Sequence, residues 1–172
     1  TSDNGPAIGK AGPLKGRKGS TFEGGMREPT VIRWPGKIPA GQPNGELMTA
    51  MDLLPTFAKL AGAEVPADRV IDGRDIWPVL SGDTKSPHEA FFYHRGNELK
   101  AVRSGDWKLH LNKGKPSALF NLKTDVGESK NLLDENAEIA KRLQGYLADF
   151  RKDIAENSRP AAFVENPVAL AK

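Results

Sequence analysis

The sequence predicts a mixed α and β fold, and three stretches carry that reading. Between Ala90 and Leu122, four short apolar and aromatic runs are separated by turn residues, the pattern of an antiparallel meander. From Asn136 to about Ile154, Ile139, Leu143, Tyr146, Leu147 and Phe150 fall on one stripe of a helix, with charges on the opposite side. Earlier, Leu53, Leu54, Phe57, Leu60 and Ala61 recur at the spacing of a second amphipathic helix.

Taken in order, the chain opens on Thr1-Ser2-Asp3-Asn4-Gly5-Pro6 and then a glycine- and lysine-rich loop that leads to Lys18. Adjacent Asp3 and Asn4 offer hard oxygen donors of the kind Ca²⁺ and Mg²⁺ take. A lysine nearby adds a compact positive charge, so cation and ammonium together suit an anionic, oxygen-rich group. On chemistry alone, Asp-Asn-Gly-Pro reads first as an ordinary surface turn. Thr30 to Trp34 is a β-branched and aromatic run stopped by Pro35-Gly36 and reads as a buried strand. A Pro/Gly connection follows from Lys37 to Gly45. Asp52 is placed to cap the next helix, Pro55 sits in its first turn and Gly62 stops it, giving about ten residues that pack on a sheet.

Residues 63–86 read mostly as loop, with Asp72-Gly73-Arg74-Asp75 taken as a turn capped by Asp75 rather than a metal cluster. In the meander, Ser104 to Asp106 and Asn112 to Gly114 are hairpin-type connections. Gly145, inside the long helical stripe, is expected to mark a close contact. The tail after Ser158 reads as irregular.

Composition narrows the class. The 172 residues suffice for a real core, and 38% hydrophobic with 27% charged is globular rather than disordered. Thirteen prolines and eighteen glycines imply many loops. A net charge of +3 suits anionic ligands but is too small to argue nucleic acid, and no basic block with interleaved aromatics appears. The absence of cysteine excludes a disulfide scaffold and thiolate metal sites. No apolar run approaches the roughly twenty residues needed to span a bilayer.

The ordered set Ser2-Asp3-Asn4-Gly5-Pro6, Lys18-Gly19-Ser20-Thr21-Phe22-Glu23-Gly24-Gly25-Met26-Arg27-Glu28-Pro29 and Trp34-Pro35-Gly36 resembles the sulfatase family. These are the formylglycine-dependent, arylsulfatase-like hydrolases of the alkaline-phosphatase-like superfamily. Asp52-Leu53-Leu54-Pro55-Thr56, Asp72-Gly73, Ala101-Val102-Arg103 with Trp107-Lys108, and Asp125-Val126-Gly127-Glu128 with Asn131-Leu132 continue the resemblance to about Leu133.

The resemblance implies that Asp3 and Asn4 are the later pair of ligands to a divalent cation, Ca²⁺ before Mg²⁺, and that Lys18 contacts the sulfate group. It implies an α/β fold: residues 1–88 as the C-terminal part of the large α/β sandwich domain, and residues 89–172 as a small α+β subdomain with four antiparallel strands, one helix and the tail. Glu23 and Arg27 are expected to be buried or half-buried, paired charges that shape the loop.

The family's nucleophile, a formylglycine made from Cys or Ser in a Cys/Ser-x-Pro-x-Arg motif, has no counterpart here. The expectation is therefore a C-terminal fragment whose nucleophile lies on a missing N-terminal half. The implied chemistry is attack of the hydrated aldehyde on the sulfur of a sulfate ester, with the fragment inactive alone. The implied substrate is a sulfated small molecule or glycan, and the implied setting is periplasmic, secreted or lysosomal, with the lack of cysteine leaning toward a bacterial, periplasmic or secreted, one.

Of the three histidines, His88 reads as solvent-exposed. His94 ends an aromatic strand beside Arg95, and His110 lies where relatives present a histidine near substrate. His94, Arg95 and His110 are therefore candidates for substrate contact. Two rival readings are a phosphoric or phosphonic monoester hydrolase of the same superfamily, since metal plus lysine suits either anion, and a non-catalytic module that binds anionic glycans.

Overall fold

A computed structural model describes residues 1–82 and 84–158. Within them one sheet forms, from β1 (Phe91–Arg95), β2 (Glu98–Ser104), β3 (Trp107–Asn112) and β4 (Lys115–Asn121), in the order β1-β2-β3-β4 with every pair antiparallel. This is the expected meander, with its turns at the glycine-bearing positions. Gly96, Gly105 and Gly114 take positive φ there, which residues without a β-carbon adopt freely.

Helix α4 (Ala137–Asn157) covers one face of the sheet. Ala140, Leu143 and Leu147 pack on Val102, Leu109, Leu111 and Leu119, all buried, and Phe150 stacks on Phe92 with ring centroids 4.0 Å apart. Each fully buried leucine contributes roughly 1.5–3 kcal/mol by leaving water. Gly145 departs from expectation. It is exposed, and a β-carbon there would meet nothing within 4 Å, so it marks no close contact.

The first half of the chain is mostly loop, with α1 (Glu23–Met26), a 3₁₀ turn (Ala50–Asp52) leading into α2 (Leu53–Leu60), and α3 (Trp77–Ser81). Thr30 to Trp34, expected as a buried strand, is irregular, with Val31 89% and Trp34 43% exposed. A β-rich run becomes a strand only when a neighbour takes its main-chain bonds, and no described strand lies beside this one. Helix α2 likewise packs on no sheet among the described residues. Its apolar side lines a groove of about 320 Å³ with Trp34, Trp77 and Leu80, and Phe57 stays 57% exposed.

Asp52 does not cap α2 by its own side chain in the expected way. Its carboxylate is fully buried and accepts the N–H groups of Thr49 (2.7 Å) and Arg74 (2.8 Å). It also meets His88 Nε2 at 2.8 Å, so His88 is largely buried rather than solvent-exposed. Asp75 does behave as a cap, accepting from the Trp77 N–H at 2.9 Å. Gly73 passes so close to the Met51 carbonyl that a β-carbon would lie 2.0 Å from it, which explains the glycine after Asp72. Among the described residues, no helix is long and apolar enough to cross a membrane. The expected irregular tail after Ser158 lies outside the described residues.

Candidate functional site

Glycine backbone brings Asp3, Asn4 and Lys18 into one loop cluster. The Gly5 N–H donates to the Gly25 carbonyl, and the Lys18 N–H donates to the Pro6 carbonyl, both at 3.2 Å. A β-carbon on Gly5 would lie 1.9 Å from the Gly24 carbonyl oxygen. On Gly24 it would strike the Lys15 and Gly16 carbonyls, and on Gly25 those of Ser20 and Arg17. Only glycine at these positions lets the two loops lie main chain against main chain. Lys18 is exposed and its main chain is fixed two residues beyond Gly5-adjacent Asn4, while its ammonium forms no ion pair among the described residues.

Asp3 is exposed and Asn4 half-buried, and the Asn4 amide N–H₂ donates to Asp3 Oδ2. That bond orients the amide so that Asn4 Oδ1 and Asp3 Oδ1 remain as oxygen donors. A hard cation takes six or more such donors, so the pair fits Ca²⁺ as part of a ligand set. Among the described residues, no cluster of three or more His, Asp or Glu groups is placed to hold a metal ion by itself.

Beneath this loop lies a buried ionic network that the sequence pattern concealed. Lys108 on β3 is fully buried, with its ammonium 2.8 Å from Glu23 Oε1, 3.1 Å from Glu128 Oε1 and 4.2 Å from the centroid of the Tyr93 ring. Glu23, also buried, accepts from the Tyr93 hydroxyl at 3.3 Å and faces Arg103 at 3.7 Å. Glu128 Oε2 accepts the Glu23 N–H at 2.6 Å, and its Oε1 meets His110 Nε2 at 2.8 Å. Lys15 donates to the Glu128 carbonyl at 3.0 Å and lies over the Phe22 ring.

Burial pushes the Glu128 carboxyl up, but the His110 bond, the Lys108 charge and the Glu23 N–H outweigh it and hold the group below the ordinary carboxylate range. Burial, reinforced by the Glu23 charge, pushes the Tyr93 phenol well up, so it stays a hydroxyl donor.

The loop that delivers Glu128 is built for it. Asp125 accepts N–H bonds from Ser129 and Lys130, and Gly127 passes against the Pro13 carbonyl, where a β-carbon would stand 3.0 Å away. Glu128 itself takes φ +50°, a left-handed conformation uncommon for a residue with a β-carbon and costing about 1 kcal/mol or more. Its three side-chain partners offset that strain.

The expected site residues thus separate. Asp3, Asn4 and Lys18 share one loop cluster. His110, expected as a substrate contact, is buried, stacked on Phe22 at 4.6 Å and bonded to Glu128, so it supports the loop from below. His94 turns toward α4, 5.6 Å from the Phe150 ring, at a shallow cleft it shares with Asn97 and Arg151. Arg95 is exposed at the end of the same hairpin. Among the described residues, no hydrogen bond, ion pair or ring contact joins His94 or Arg95 to residues 1–28. Glu23 is buried and paired as expected, whereas Arg27 is exposed. Lys108 went unrecognised because a charge at alternate strand positions reads as solvent-facing, and Glu128 because a carboxylate in a turn-rich loop reads as exposed.

Comparison with known proteins shows the family to which the chain belongs. Residues 17–153 match the family N-sulphoglucosamine sulphohydrolase, C-terminal. The chain is 39% identical over 173 residues to arylsulfatase A of Bos taurus, covering 81% of this chain and 34% of that protein. It is 46% identical over 118 residues to N-acetylgalactosamine-6-sulfatase of Canis lupus familiaris, covering 64% of this chain and 22% of that protein.

Among solved structures, PsFucS1 sulfatase from Pseudoalteromonas sp. superposes with a TM-score of 0.77 at 26% identity, over 86% of this chain and 34% of that one. Ps i-CgsB superposes with a TM-score of 0.73 at 33% identity, over 88% and 34%. The chain spans about a third of the length of arylsulfatase A and of both solved structures.

Proposed function

The chain belongs to the sulfatase family, and on that premise we propose that it forms the sulfate-binding C-terminal part of a sulfuric ester hydrolase. Asp3 and Asn4 would hold part of the shell of a Ca²⁺ ion, which when bound supplies positive charge at the sulfate oxygens. The Lys18 ammonium neutralises charge that builds on the transferring group and on the bridging oxygen. The nucleophile, a formylglycine by the resemblance, would come from outside these 172 residues, and residues 1–88 and 89–172 would be the two structural portions. The favoured substrate is a sulfated carbohydrate, since Ps i-CgsB is also seen in complex with k-i-k-neocarrahexaose. An exported, periplasmic or secreted, setting goes with that substrate.

The observation that carries this reading is the main-chain stitching of the Asp3-Asn4 turn to the Lys18 loop through Gly5–Gly25 and Pro6–Lys18. It supports the reading by joining the backbone of the turn that carries the two oxygen donors to the backbone of the loop that carries the lysine. His94 and Arg95 gain no such support. In the full-length protein, Lys18→Ala is expected to lower kcat/KM on a sulfate ester by about 3 kcal/mol, on the order of 100-fold. A variant with unchanged kcat/KM refutes the assignment. Matched sulfate and phosphate esters, assayed on the wild type, test the choice of anion, and a preference for phosphate overturns it.

A further inference from the structure

The loop that carries Lys18 has no fully buried apolar anchor, Phe22 being half-buried where it stacks on His110. Within residues 14–28 only Glu23, Gly24 and Gly25 are buried, and glycines supply backbone contact but no side-chain grip. What locates the segment is the Glu23 carboxylate, received by Lys108 from β3, by Tyr93 from β1 and by Arg103 from β2. Its own N–H is received by Glu128. Three strands and a loop therefore converge on one residue. Lys18 lies five positions before it, and the two positions after it hold Gly5 and so the Asp3-Asn4 turn.

Desolvating two carboxylates and an ammonium is an expensive way to gain stability, and an apolar packing of the same volume often does as well. Directional, charge-assisted bonds do what apolar contacts cannot, which is to fix a position to within a few tenths of an ångström.

We propose that Glu23 is a positioning residue, through which the sheet sets the placement of Lys18 and of the Asp3-Asn4 turn for reaction. This rests on the reading of Lys18, Asp3 and Asn4 as the sulfate-binding group. Misplacement of reacting groups by about an ångström costs up to about 100-fold in rate, so the anchor acts on kcat without touching substrate.

The test uses the full-length protein. Glu23→Gln keeps the size of the side chain and removes its charge. It is expected to lower kcat by about tenfold or more, with KM little changed. Amide hydrogen exchange is expected to speed up in residues 2–19, where the Gly5 and Lys18 N–H groups are bonded. Leu143→Ala, on the opposite side of the sheet, is the control. It lowers stability while kcat per folded molecule and exchange in residues 2–19 stay as in the wild type.

Should Glu23→Gln not fold, Arg103→Gln weakens the same anchor from its half-buried end and is expected to shift both readouts in the same direction by less. Wild-type kcat and exchange in the folded anchor variants overturn the proposal. If kcat falls no more than stability-matched Leu143→Ala predicts, the network is structural only. If Lys18→Ala keeps full kcat/KM while Glu23→Gln still accelerates exchange, the reading of Lys18 fails, and with it the catalytic purpose of the anchor.

Discussion

The two faces of the sheet solve the same burial problem with opposite chemistry. Toward α4, β3 presents Leu109 and Leu111, which meet Leu143 and Leu147 in a contact without charge. Toward the loop of residues 14–28, the same strand presents Lys108 and His110, equally removed from water but held by Glu23 and Glu128. The apolar face tolerates small shifts, because dispersion and water exclusion have no preferred direction. The polar face does not, because each bond has a length and an angle. On the proposal above, the apolar side serves stability, and the polar side, costly to break, also registers the exposed loop.

The comparison breaks most sharply at Lys108. Lys108→Met in the full-length protein leaves two buried carboxylates facing each other, and is expected to cost about 3–5 kcal/mol with loss of activity beyond the loss of fold. Denaturant midpoints paired with kcat per folded molecule measure both, and a stability like the wild type's would show that the pair has no such role.

Next in size, Leu143→Ala should cost about 2–5 kcal/mol by opening a cavity under the apolar face. Its effect is confined to the unfolding midpoint, and loss of kcat in the folded enzyme would erase the distinction between the faces.

Of the two faces of the sheet, acid should act on the polar one. Glu128 is held below its ordinary value of 4.5 by His110, Lys108 and the Glu23 N–H, against burial. A carboxylate depressed in the fold contributes stability above its unfolded value and loses it as pH falls through its value in the fold. Urea midpoints are therefore expected to drop below about pH 4.5, and Glu128→Gln to flatten that drop. An equally steep profile in the variant would assign acid sensitivity elsewhere.

The smallest effect lies at the outer surface of α4. Gly145→Ala meets open space and should raise stability by roughly 0.5–1 kcal/mol, read as a higher urea midpoint, with activity unaltered.

Legibility in the sequence followed the same division. The meander and α4 could be read because apolar residues at a fixed period announce both the element and the side it buries. Thr30 to Trp34 and the apolar side of α2 misled because the rule presumes a partner, and the partner is absent among the described residues. The Lys18 loop and the Asp3-Asn4 turn could be placed by resemblance, and Glu23 by the general need of a buried charge for a mate. That mate could not be named. Lys108 and Glu128 stand 85 and 105 residues away, and no local period links such positions. His110 and His88 failed for a related reason, since each faces a carboxylate that only the tertiary fold brings near.

Those separations also order events during synthesis. Lys18 leaves the ribosome well before the strand and loop that hold its segment, and ring closure over a hundred residues must precede any fixed shape there. The lysine of this anion-binding loop is thus made well before the residues that set it, so a chain cut anywhere between the loop and Glu128 would carry every reactive group of the loop and still present it unformed.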